Sequence, residues 1–124
     1  MEPLVIWQRV EGGIVFVAAL ALYAFGGMAP LGAGVALLAF LAPDLSFAAY
    51  LAGPRWGARG YNLVHLYGTG LAMMALGIGA GLPPLASVGT LWLAHAGIDR
   101  LLGYGLKSAR GFGFTHLGEI GRGR

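Results

Sequence analysis

Apolar residues run along this chain in four long blocks, each close to the ~20 residues a helix needs to cross the hydrocarbon of a bilayer. The blocks predict helices at about 4–25, 31–53, 58–81 and 85–107. The stretches between them, 26–30, 53–57 and 81–84, carry Gly and Pro, which end helices by freeing or fixing the backbone. Links this short make successive helices antiparallel neighbours. The predicted fold class is therefore all-α, an integral membrane four-helix bundle over 1–107. The tail, 108–124, is rich in Gly and Arg, with Phe112, Phe114, Leu117 and Ile120 as its main apolar points. It either lies at the membrane interface or folds back under the bundle.

Composition agrees: 57% hydrophobic and 10% charged residues in 124 are too apolar a mixture for a soluble domain of this size. Arg9 and Glu11 precede a long apolar run with no small-residue cleavage site followed by a soluble chain, so the first block reads as a retained span. Arg9, Arg55, Arg59, Lys107, Arg110, Arg122 and Arg124 lie at the start, at the second connection and at the end, and the first and third connections carry no Lys or Arg. Both termini and the second connection are then cytoplasmic. The net charge of +3 is explained by this topology, and no nucleic-acid partner is expected because the basic groups lack interleaved exposed aromatics. Membrane lipid is the expected partner, with Arg55, Arg59, Arg100 and Lys107 ringing the cytoplasmic mouth near anionic headgroups. The 23 glycines read as close helix packing in lipid, since no phosphate-cradling G-x-x-x-x-G-K-S/T occurs. Cysteine is absent, which excludes thiolate ligands.

Depth along the helices organises the polar residues. With ~1.5 Å rise per residue, Asp44 lies ~16 Å before Arg55, His65 ~9 Å past Arg59, His95 ~18 Å and Asp99 ~12 Å before Lys107, and Glu11 ~12 Å from Pro3. Each span contributes ionisable groups to the cytoplasmic half, where they are expensive unless partnered. His95 and Asp99 are i,i+4 and share a helix face. Neutral imidazoles and carboxylates are ordinary ligands for zinc, iron or manganese, so the expected cofactor is a divalent metal held by Asp44, His65, His95 and Asp99. His116 would join as a ligand or acid if the tail reaches the bundle mouth, and is solvated otherwise. Glu11 is the expected general base, or a further ligand bridging two metals. Gln8, Asn62, Arg100 and Tyr104 are expected as supporting polar groups, with Tyr61 and Asn62, at i−4 and i−3 from His65, orienting the imidazole or bonding across helices. Pro43 interrupts the second helix and frees a backbone carbonyl, a distortion tolerated where a membrane helix lines a protein-enclosed cavity.

A His/Asp site leaves coordination positions open, which points to catalysis through a metal-activated water. Hydrolysis of a lipid-like substrate entering from the inner leaflet is the first reading. A small ion or proton transporter using the same groups is the second, in a homo-oligomer if a through-path is to form, because the outer half lacks polar residues. A haem electron carrier with His65 and His95 as axial ligands is the third. A purely structural bundle is the fourth.

The stretches APDLS (42–46), YNLVH (61–65), LAHAGIDRLLGYGLK (93–107) and FTHLG (114–118) together resemble a family of small bacterial four-helix membrane proteins classed as a domain of unknown function. That resemblance covers most of the chain and implies a bacterial inner-membrane location. A weaker similarity is to membrane-bound metal-dependent hydrolases that carry Pro-Asp-x-Asp and His-Arg-x-x-Thr-His-Ser. Here 43–46 lacks the second aspartate, and 110–117 lacks the leading histidine and the final serine.

Overall fold

The longest run of buried positions belongs to the helix that carries His95 and Asp99, and the other long helices gather around it. In the computed structural model, which describes residues 2–120, this is α5, Pro83–Leu102. It follows α1 (Pro3–Phe25), α2 (Ala33–Leu41), a 3-10 segment (Ala42–Ala52), α3 (Pro54–His65) and α4 (Tyr67–Gly79). Arg122 and Arg124 lie outside the described residues. α1, α2 and α4 all pack on α5. Small residues permit this: a methyl group at Gly97 would stand 2.6 Å from Phe16 N, and one at Gly70 would stand 2.7 Å from Leu93 N. Backbones that close gain dispersion contact along their length.

The outward faces are apolar instead of polar. Phe25 is 89% exposed, Leu51 93% and Leu38 69%, with Ile14, Val17 and Leu76 also on the surface. Two helical stretches, Pro3–Phe25 and Ala33–Ala52, are long and apolar enough to cross a membrane.

Two of the expected helices are interrupted. The second turns from α-helix to 3-10 at Ala42, where Pro43 has no N–H to give and its ring is buried. The 3-10 form then persists for 11 residues, far longer than the few usual for it. Residues 58–81, expected as one helix, form two, because Leu66 is extended (φ −68°, ψ 142°) between α3 and α4. A break of this kind strands carbonyls that need donors. Thr69 Oγ1 donates to Leu63 O, Trp92 Nε1 to Val64 O at 2.8 Å and Arg100 Nη2 to His65 O at 3.1 Å. Two of the three donors come from α5, so the break is fastened to the central helix.

Gly53, at φ +106°, makes the turn from the 3-10 segment into α3, a conformation that favours glycine. α3 runs back along the 3-10 segment, with Gly57 against the Tyr50 ring and Gly60 against Ala49. α5 ends on Gly103 in the left-handed conformation, with Gly103 N donating to Arg100 O at 3.0 Å and Tyr104 N to Asp99 O at 2.7 Å, a Schellman arrangement. The tail then forms a small antiparallel sheet of β1 (Lys107–Ser108), β2 (Gly111–Thr115) and β3 (Gly118–Glu119), in the order β1-β2-β3. β1 and β2 contact α3. The Phe112 ring lies edge-on to Phe47 at 5.4 Å and to Tyr50 at 5.6 Å.

Candidate metal centre

Four side chains from three elements converge where the two interrupted stretches meet α5. Asp44 comes from the first turn of the 3-10 segment, His65 from the last residue of α3, and His95 and Asp99 from one face of α5. His65 is 0% and His95 3% exposed. His65 Nδ1 lies 2.8 Å from Tyr61 O, a pure acceptor, so Nδ1 carries the hydrogen and Nε2 presents its lone pair. That Nε2 lies 3.3 Å from Asp44 Oδ1 and 3.4 Å from Asp99 Oδ2. His95 Nε2 lies 3.0 Å and 3.3 Å from the same two oxygens.

These separations have a physical meaning. Ligands held ~2.0–2.1 Å from a first-row cation stand ~3.3 Å apart at the corners of a tetrahedron and ~2.9 Å apart at adjacent corners of an octahedron. The four N···O distances fall on such edges, and all four ligand atoms lie within 4.8 Å of one another. Two carboxylates facing an imidazole lone pair repel unless a proton or cation stands between them, and a divalent ion neutralises both. The group can hold a metal ion.

Tyr61 holds two of the four. Its ring stacks on His65 at 3.7 Å and 11°, its carbonyl accepts from His65, and its hydroxyl donates to Asp99 Oδ2 at 3.3 Å. Metal-binding histidines commonly donate their second ring N–H in this way. His95 Nδ1, by contrast, is buried without a hydrogen-bond partner among the described residues. A cavity of about 410 Å³ opens beside the centre, lined by Asp44 and Asp99 together with Tyr61, Phe47, Tyr104, Lys107, Phe112 and Ile120.

The remaining expected site residues are placed as follows. The Asn62 amide pairs with the backbone of Lys107, donating to Lys107 O at 2.9 Å and accepting from Lys107 N at 2.6 Å, and so fastens β1 to α3. Arg100 is buried and braces the carbonyl of His65, with a second bond to Tyr104 O at 3.3 Å. Tyr104 thus serves through its backbone as well as by lining the cavity. Glu11, Gln8 and His116 stand apart from the four ligands, lining a second cavity of about 280 Å³ with Tyr67 and Arg100. His116 Nδ1 accepts from Leu106 N at 2.8 Å. Burial and the nearby Arg100 charge hold its pKa below the ordinary histidine value. A haem between His65 and His95 has no space: the rings are 5.2 Å apart, and both Nε2 atoms face the same two carboxylate oxygens.

Sequence reasoning missed Lys107, Phe47 and Phe112 as walls of the metal cavity. Lys107 is 5% exposed, with Nζ 3.9 Å from the Phe112 ring centroid and 4.9 Å from that of Tyr61. One signal was available, since it is the chain's single lysine and the last residue of the 93–107 stretch.

No curated protein and no solved structure matches this chain. A family model does, over residues 5–120, from the first turns of α1 through β3, spanning all four ligands and the sheet. The chain belongs to the family described as domain of unknown function DUF4260.

Proposed function

We propose that this is a multi-pass protein of the bacterial inner membrane whose metal centre hydrolyses a lipid-like substrate drawn from the inner leaflet. The apolar outward faces and the two span-length helices support the membrane reading. In it α1, α2 with the 3-10 segment, α3 with α4, and α5 form an antiparallel four-segment bundle. The basic residues Arg9, Arg55, Arg59 and Arg110, at the start of the chain, at the second connection and in the tail, support a cytoplasmic side for that connection and both termini.

One observation carries the catalytic part: four ligand atoms at metal-binding separations, with two of the ligand residues lining a cavity. Zinc, iron or manganese suits this donor set, and any of them would activate a bound water at neutral pH. Asp44, whose side chain is 41% exposed, would hold the metal through Oδ1 and keep its second oxygen free as a proton acceptor. Glu11 lines the other cavity, which removes it from the general-base role beside the four residues. Elemental analysis of detergent-purified protein without a histidine tag tests the centre. One ion per chain, lost in both His95→Ala and Asp99→Ala, is the expected result. Well-folded protein that takes up no metal refutes it. A panel of lipid esters and phosphoesters, assayed with the loaded protein and the same two variants, then tests hydrolysis.

The transporter reading keeps one specific observation: two interrupted helical stretches meet at the ion site, a recurring design in secondary transporters. Metal flux into proteoliposomes that disappears in Asp44→Asn, without any hydrolysis, would favour it.

A further inference from the structure

The cavity of about 280 Å³ shares no residue with the metal cavity, and its walls come from four parts of the fold: Gln8 and Glu11 of α1, Tyr67 of α4, Arg100 of α5 and His116 of the tail. Arg100 is 6% exposed, and a charge that deep is costly unless it is matched. Two of its five N–H donors are engaged, by His65 O at 3.1 Å and Tyr104 O at 3.3 Å, and the guanidinium stands 5.5 Å from the Tyr67 ring centroid. These partners are all neutral. Among the described residues no carboxylate forms an ion pair with Arg100, and its Nε–H makes no hydrogen bond. Its neighbour Asp99 faces the two histidines instead. The Arg100 charge is felt in the cavity, since burial and, after it, Arg100 hold the His116 pKa low. The other lining groups are uncommitted too. Gln8, Glu11 and the Tyr67 hydroxyl make no side-chain hydrogen bond with a described residue. His116 Nδ1 accepts from Leu106 N, so the neutral ring carries its hydrogen on Nε2 and offers a further donor.

We propose that this cavity binds a small zwitterion, a phosphoethanolamine group, with its phosphodiester oxygens on Arg100 and its ammonium on Glu11. One wall holds a cation and a carboxylate that do not pair with each other. A bare anion would meet the Glu11 carboxylate, and a bare ammonium would meet the Arg100 guanidinium. A molecule that carries both charges matches both. The guanidinium fork suits a carboxylate or a phosphate, but the uncharged donors of Gln8, Tyr67 and His116 add more hydrogen bonds than two carboxylate oxygens can accept, which favours phosphate. The volume lies near the low end of ligand pockets, ~300 Å³, so it suits a polar head and not a whole lipid. The same group occurs on a soluble phosphodiester and on the head of a membrane lipid. Asp44, His65, His95 and Asp99 take no part, and the site does not depend on the metal centre.

Calorimetric titration of the full chain in maltoside micelles tests this with three probes. Glycerophosphoethanolamine carries both charges, glycerophosphoglycerol keeps the phosphodiester alone, and ethanolamine keeps the ammonium alone. The first is expected to bind about 10-fold or more tightly than either of the others, the usual effect of a charged hydrogen bond. Glu11 is exposed, so Glu11→Gln should leave the fold intact. It should weaken glycerophosphoethanolamine by about 10-fold and bring it within about threefold of glycerophosphoglycerol. Tyr67→Phe, which keeps the ring beside Arg100, should weaken both phosphodiesters by about 3- to 10-fold. Dihexanoyl phosphatidylethanolamine tells the sources apart: binding tighter than glycerophosphoethanolamine assigns the cavity to a lipid head, and equal or weaker binding assigns it to a soluble ligand. Wild-type protein that binds none of the probes, equal affinity for all three, or selectivity unchanged in Glu11→Gln overturns the proposal. Metal content measured on the same samples keeps the two sites separate, because protein that takes up no metal yet selects glycerophosphoethanolamine refutes the metal centre and supports this site.

Discussion

Tyr61→Phe separates the ways in which one residue holds two ligands. The substitution removes only the hydroxyl that donates to Asp99 Oδ2 at 3.3 Å, and keeps the ring stacked on His65 at 3.7 Å and the carbonyl that takes the Nδ1 hydrogen at 2.8 Å. Groups that orient metal ligands typically contribute 10- to 100-fold in affinity, and a hydrogen bond this long belongs at the lower end, so the expected loss is about 10-fold, or ~1.4 kcal/mol. Tyr61→Leu also removes the ring. The imidazole then loses its stacking partner, Phe47 loses the ring it stacks on at 5.6 Å, and Lys107 loses one aromatic face. About 100-fold is expected for this variant. Competition against a metallochromic chelator in micelles measures both, with elemental analysis confirming that each variant still takes one ion per chain. Unchanged affinity in both variants would refute the reasoning, because Tyr61 would then be a bystander. A loss in Tyr61→Phe as complete as in His95→Ala would refute it as well, by making the hydroxyl itself indispensable.

Other outcomes follow from the packing. Gly97→Ala places a methyl 2.6 Å from Phe16 N, against backbone that cannot swing away, so α1 must back off from α5. Overpacking of this kind costs about 1–3 kcal/mol, measurable by denaturation in mild detergent. Metal stoichiometry should survive, since α1 carries none of the four ligands. Asn62→Ala removes both hydrogen bonds to the Lys107 backbone, at 2.6 and 2.9 Å, loosening the sheet by about 1–3 kcal/mol; faster amide exchange at Lys107 is the readout. His116 yields a pH dependence. Its docked pKa lies below the ordinary 6.5, so as pH falls through that value the released tail takes up a proton that the docked tail refuses. Docking should be strongest above pH 6.5 and weaken on acidification, seen as increased proteolysis of the tail, and His116→Asn should flatten the response.

The grouping of Asp44, His65, His95 and Asp99 was legible because ionisable residues in apolar helices stand out, and the helical rise puts the four near one level. Depth alone carries no direction around the helix axis. Glu11 shares the level yet lines the Arg100 cavity instead of the metal cavity, and only coordinates reveal that. The break at Leu66 left no local trace, since neither Gly nor Pro stands there. What sustains it is Trp92 and Arg100, side chains roughly a quarter of the chain away that a local pattern cannot see. Asn62 was associated with His65 by proximity in sequence, whereas its amide copies the pairing of a β-strand neighbour and so engages β1. The tail sheet was equally hidden: GFGFT alternates for too few residues to announce a strand.

The fastened break also bears on how the molecule can move. Every carbonyl uncovered at the α3–α4 corner whose donor has been named is already claimed, two of them by the helix that supplies His95 and Asp99. Flexing there would strip those donors and pull on the helix that carries His95 and Asp99. The corner therefore acts as a welded elbow, which keeps the end of α3, and with it His65, in fixed register with α5.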